Sequence, residues 1–338
     1  MTEPQRYRVT LDDLDRWKPP ARHGETDSYY GQQVLLSGPW HWLVTWYFWL
    51  GGVSGASYLV AVMAGWFGGD GAREIRRAGH LVSLAAIMPT PALLVVDLGR
   101  RARFHHMLRV FKPLSPMNMG AWALTVFGIS SGLGAWFELA EMNLLPSPLA
   151  NAGRRLPKDA VAAVGTVAGI YFSGYTGTLL AATAIPLWAG TPILGGLFMA
   201  SAAATGSAAI DGTLALAGRD APALRAPTLA ALATEVALSE AYKRRLGRQA
   251  ARPLRQGSTA RWFRVYRGLG LALPIGLALL PSRDTRGARL AGAIGVLAGG
   301  FCLRAAILQG GHESARDPAT VLAPDSAMKQ VGQVGIVG

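Results

Sequence analysis

Eight long apolar segments, separated by polar loops, leave this chain few places to fold other than a bilayer. They run approximately over residues 42–67, 80–97, 120–139, 161–188, 192–215, 228–242, 268–280 and 290–308. A helix needs about 20 residues to cross the hydrocarbon core. The sixth and seventh segments fall short of that and are expected to extend into basic flanks that snorkel. For the seventh, a re-entrant or interfacial helix is the alternative. Only 16% of the residues are charged, against about a quarter in a soluble domain, so surface-forming groups are scarce. The expected fold is all-α, a polytopic membrane protein of eight transmembrane helices. GGLFMASAAATG, near the start of the fifth segment, echoes GGVSGASYLVA in the first, which suggests duplication into two four-helix bundles. A polar tail (1–39) precedes the membrane domain (40–311), and a second (312–338) follows it. No secretory signal peptide is visible in the first tail.

The net charge of +13 would suggest a nucleic-acid partner in a soluble protein. Here it divides across the bilayer. Of the 33 basic residues, 22 fall on the side of both tails and 11 on the other, which places both termini in the cytoplasm by the positive-inside rule. Much of that bias comes from one loop, residues 243–267. No nucleic acid is expected as a partner; membrane lipid is. The single cysteine, Cys302, excludes a disulfide scaffold, a cysteine-ligated iron–sulfur cluster, a zinc knuckle and a CxxCH haem attachment.

Polar groups inside spans are costly and therefore informative. Tyr171, Tyr175 and Thr178 share one face of the fourth segment, and Thr228, Glu235, Ser239 and Tyr242 share one face of the sixth. Asp211 continues a small-residue stripe in the fifth, and Glu138 and Glu141 close the third. Glu235, Asp211 and Glu138 are candidates for a proton path; interfacial acids held by local arginines are the alternative. No span carries a histidine at mid-depth, so a b-type haem is not expected. His41 stands between Trp40 and Trp42 at the mouth of the first segment. It is either an aromatic-belt anchor or a proton acceptor for a redox ligand, as its ordinary pKa permits. Between the second and third segments, Asp97 is spaced to pair with Arg100 or Arg101, an amphipathic stretch follows, and Ser115 is placed to cap the next helix.

Five stretches carry a resemblance in order and spacing: WYFWLGGVSGASYL (46–59), PALLVVDLGRRARFHHML (91–108), SPMNMGAWAL (115–124), YTGTLLAATAIPLW (175–188) and LRAAILQGG (303–311). Together they closely resemble the NrfD/PsrC-type membrane-anchor family of polysulfide and nitrite reductase systems. One departure is Arg101, where members commonly have proline after DLGR. The resemblance implies an eight-helix chain, without haem or iron–sulfur cluster of its own, that binds a quinone or quinol (menaquinone or ubiquinone) near one membrane face. Its partners would be a four-cluster iron–sulfur subunit and, through it, a molybdopterin-type or similar catalytic subunit. Motif position carries the family's quinone-pocket histidine and tyrosine onto His41 and Tyr175. Asp97, Arg100 and Arg304 fall on the same membrane side. The expected location is the inner membrane of the cell.

Quinol oxidation releases two protons with two electrons, so a titratable acceptor beside a phenol suits that chemistry. Many systems of this family dock the iron–sulfur partner outside the cytoplasmic membrane, whereas the arginine count places His41 and both tails inside. A secondary transporter and a purely structural anchor are the competing readings. Transporters usually show broken helices at matched positions in both halves, and here Pro89 and Pro91 have no counterpart inside the sixth segment.

Overall fold

The computed structural model describes residues 35, 40, 42–98, 101–113, 115–189 and 191–321. His41, Arg100 and most of both tails lie outside the described residues. Helices α1 (Trp42–Phe67), α2 (Arg73–Ile87), α3 (Thr90–Asp97), α4 (Pro116–Glu141), α5 (Ser147–Arg154) and α6 (Lys158–Ala181) form the first half. The second half holds α7 (Ile193–Leu216), α8 (Arg225–Ala250), α9 (Gly257–Val265), α10 (Leu273–Ala278) and α11 (Arg286–Arg316). No strand occurs among the described residues.

Each of the eight apolar segments contains a helix, and the interruption of the second has a local cause. Pro89 and Pro91 break the second segment into α2 and α3, because proline cannot donate to the helical ladder. Thr90 repairs part of the loss by donating its hydroxyl to the Ile87 carbonyl at 2.7 Å. Ser115 precedes α4, but its hydroxyl makes no capping bond; Pro116 in the first turn starts that helix instead. By apolarity the fourth segment runs to residue 188, yet α6 stops at Ala181. Beyond it the apolar run TAIPLW turns inward rather than onward. Trp188 is fully buried and its indole donates to the Ile307 carbonyl at 2.7 Å. The Leu187 carbonyl accepts the Tyr242 hydroxyl at 2.5 Å.

The seventh segment is one continuous winding rod. α9 runs into a π-helical stretch, Tyr266–Ala272, and then into α10. This rod lies along α11, and the contact depends on two glycines: a Cβ on Gly270 would stand 2.7 Å from the Gly299 Cα. Lipid offers no hydrophobic drive between helices, so such close backbone approach supplies much of their association.

Five helical stretches are long and apolar enough to cross a membrane: Trp42–Phe67, Arg73–Asp97, Pro116–Glu141, Ile193–Leu216 and Arg286–Arg316. α6 and α8 match them in length but not in apolarity. α6 spends its positions on glycines and hydroxyls that face its neighbours, and α8 becomes basic in its last turns. α1 packs against α2, α3, α6, α7 and α11, so both halves share one continuous core that runs from Val44 to Ala315.

The helix ends meet in two layers. At one end, here the tail end, His312 bonds the Trp40 carbonyl at 3.0 Å and Ser258 donates to Glu313 at 2.6 Å. At the opposite end, Glu141 pairs with Lys158 at 2.8 Å and with Arg76, and Arg289 pairs with Asp211 at 2.7 Å.

Candidate functional site

Near the tail end a groove of about 470 Å³ opens between α4, α6 and α7. Its polar wall is the α6 face expected from sequence: Tyr171, Tyr175 and Thr178 all line it, and Met119 and Met199 face them. Tyr175 is buried and stacks on the half-exposed Tyr171, with ring centroids 5.6 Å apart. Its hydroxyl fits because residue 120 is glycine; any Cβ there would collide with the phenol oxygen. Tyr47 of α1, fully enclosed, stands close to both phenols. Sequence reading missed Tyr47, which nothing but its place in the WYFWLGG stretch distinguished. Asp97 ends α3 at this same end.

Arg304 does not join this groove. Its guanidinium is fully buried one helix away, on the other flank of α1. It donates to the carbonyls of Phe48 (3.1 Å), Gly300 (2.9 Å) and Phe198 (3.4 Å) and to the Ser201 hydroxyl (3.2 Å). The charge also lies over the Phe198 ring at 5.2 Å. Gly52 makes the room, since a Cβ there would stand 2.6 Å from the guanidinium. Glu235, itself buried, lies beside Ser201 and Tyr266 and within electrostatic reach of Arg304. The Tyr266 hydroxyl has no hydrogen bond of ordinary geometry, though Glu235 and Ser239 are its neighbours. Tyr266 also opens the π-helical stretch, a distortion frequent at functional sites. The two centres touch α1 at consecutive residues, Tyr47 on one flank and the Phe48 carbonyl on the other.

The remaining acids of the expected proton path sit at the opposite end. Glu138 is buried and held by Arg76 at 2.9 Å, with Arg77 at 3.9 Å. A small cavity of about 130 Å³ adjoins it. His80 lines that cavity, buried, with no partner for its Nδ1. One turn further along α2, Ser83 begins a chain of enclosed hydroxyls: Ser83 and Ser131 lie 2.8 Å apart, and Ser54 and Ser83 3.1 Å. Sequence reading missed this string because three serines on three helices leave no local pattern. Asp211 is fully engaged by Arg289, which also binds Asp220 at 2.9 Å.

A second groove, about 350 Å³ and more apolar, opens at the opposite end between α7, α8, α10 and α11. Its charged groups are already satisfied, Arg289 by Asp211 and Arg225 by Asp284 at 2.7 Å. Both arginines of this groove are therefore held in ion pairs. The tail-end groove differs in being lined by two phenols, Tyr171 and Tyr175. Among the described residues no cluster of three or more metal-ligating side chains occurs.

The family model described as polysulphide reductase, NrfD, matches residues 31–314. The chain belongs to the NrfD family. A polysulfide reductase subunit of Wolinella succinogenes is 30% identical over 302 residues, which cover 81% of this chain and 94% of that protein. For an NrfD-family chain the placement of Tyr175 is informative: the YTG stretch that carried the sequence resemblance is the wall of the tail-end groove.

Proposed function

We propose that this chain is the quinone-reactive membrane subunit of a respiratory reductase complex. The observation that carries the reading is the groove of about 470 Å³ lined by Tyr171, Tyr175 and Thr178 together with Met119 and Met199. A ring with two oxygens needs this combination of apolar faces and a few convergent donors. Tyr175 orients one quinol oxygen, and His41, at the mouth of α1, takes the proton released on oxidation. Asp97, which ends α3 at the same end, shapes the entrance, and Arg100 is assigned to the same pocket by its place in the DLGR stretch alone. Electrons leave to a four-cluster iron–sulfur partner and from there to a molybdopterin-type catalytic subunit, with this chain supplying binding and proton chemistry.

Arg304 takes a different role from direct quinone contact. It holds Glu235 as a buried proton site across α1 from the tyrosines, with Tyr266 and Ser201 beside it. Glu138, His80 and the serine string make the route to the opposite membrane face. Asp211 serves structure, being bound on both oxygens by Arg289. All eight segments cross the inner membrane as two four-helix bundles, with the tail end in the cytoplasm where basic residues are concentrated.

The test uses the intact complex. Tyr175→Phe and His41→Ala should each lower quinol-linked turnover by about 10²-fold or more, with subunit assembly unchanged. Unchanged turnover in both variants contradicts the pocket.

A further inference from the structure

The basic loop that dominates the charge asymmetry folds into a defined site. α8 is kinked at Gly247, whose φ of 72° suits glycine. The returning chain then starts α9, so that residues from both helices close around a cavity of about 370 Å³ at the tail end. Five cations line it: Lys243, Arg244, Arg255, Arg264 and Arg267. The one carboxylate among the lining residues is Glu240, which lies 2.6 Å from Lys243 and 3.7 Å from Arg267. Among the described residues, no carboxylate comes within ion-pair distance of Arg244, Arg255 or Arg264. Among the described residues, four positive charges therefore remain uncompensated in one pocket.

The floor and flank of this pocket are apolar. Leu254, Ala260 and Phe263 are buried beneath the cations, and Lys243 lies over the Phe263 ring at 5.8 Å. From there an outward strip runs down the rod: Trp262, Val265 and Leu269, at helical spacing, are exposed by 36%, 39% and 46%. On the same stretch of rod Arg264 and Arg267 line the pocket, so cations and an apolar strip lie side by side.

We propose that this pocket binds the headgroup of an anionic phospholipid bearing two phosphodiester groups, with its acyl chains lying along Trp262, Val265 and Leu269. Guanidinium forks match phosphate oxygens in pairs. Basic pockets between membrane helices are the usual receptors for such headgroups. An excess of four cations suits two phosphates better than one. The adjoining apolar strip selects a lipid over a soluble anion or an acidic protein, neither of which needs it.

Delipidated, detergent-solubilised full-length protein can be titrated by native mass spectrometry with three probes: diphosphatidylglycerol, phosphatidylglycerol and inorganic pyrophosphate. Diphosphatidylglycerol should bind at least about tenfold more tightly than phosphatidylglycerol at equal phosphate. Arg255→Ala with Arg264→Ala should remove about tenfold of that affinity, whereas Arg103→Ala with Arg109→Ala, an equal change of charge at the same end, should leave it intact. Equal binding of the two lipids, or equal losses in both double variants, would show only diffuse attraction to a basic surface and overturn the site. Pyrophosphate displacing the lipid at matched concentration would overturn the lipid as ligand. Loss of an iron–sulfur partner from the pocket variant, with lipid preference unchanged, would instead assign the surface to protein docking. If the pocket variant does not fold, the wild-type comparison of the two lipids still decides.

Discussion

Replacing Arg304 with alanine is expected to cost the folded subunit about 3–5 kcal/mol, the usual penalty for removing one partner of a buried charged network. The guanidinium currently satisfies three carbonyls and a serine drawn from α1, α7 and α11. Without it those acceptors and Glu235 lose their counterpart in a region closed to water. Arg304→Lys should restore little, because one ammonium cannot span a fan of four acceptors. The measurement is retention of monodisperse protein after a heating series, followed by size-exclusion chromatography. Adding Glu235→Gln to Arg304→Ala should recover part of the loss, since the orphaned carboxylate is then neutral. Strictly additive effects would show that the two residues are not coupled.

Gly120→Val is expected to remove quinol-linked turnover by about 10²-fold while leaving the fold in place, an effect of the size a small misplacement of a positioned group can have. A side chain at this position meets the Tyr175 hydroxyl and ring directly. The phenol must swing toward the groove, which is open enough to receive it. Strain of this kind typically costs about 1–3 kcal/mol, tolerable for a core this extensive. Gly132→Val, on the same helix with open space around its Cα, is the control and should keep full turnover. Equal turnover in both variants would detach Tyr175 from the reaction.

Much of this arrangement could be read from the chain before any fold was known. The apolar segments, and the break at Pro89 and Pro91, follow from hydropathy and proline alone. The Tyr171–Tyr175–Thr178 face follows from helical periodicity, and all three residues do meet in one groove. Where the reading departed from the structure, long-range contacts were responsible. The run TAIPLW reads as more helix because it is apolar, but that apolarity serves an inward turn, in which Trp188 bonds to α11. Depth alone groups Arg304 with Tyr175, because both lie toward one end of their helices. Its direction around α11 decides otherwise, and turns it to Glu235, Ser201 and the Phe48 carbonyl. The Ser54–Ser83–Ser131 string and Tyr47 were invisible for the same reason: each residue is ordinary within its own helix and acquires meaning only from its neighbours in space.

Quinone is proposed to occupy the tail-end groove and not the more apolar one at the opposite end. Photo-crosslinking answers it directly, with a short-chain quinone bearing a diazirine on its ring and peptide mapping of the labelled full-length protein. Label is expected on Met119, Tyr171, Tyr175 or Met199, diminished by excess unlabelled quinone and absent in Gly120→Val. Label confined to Leu229, Leu232, Leu277 or Ala278 of the opposite groove, or labelling of the tyrosine groove that excess quinone does not diminish, would contradict it.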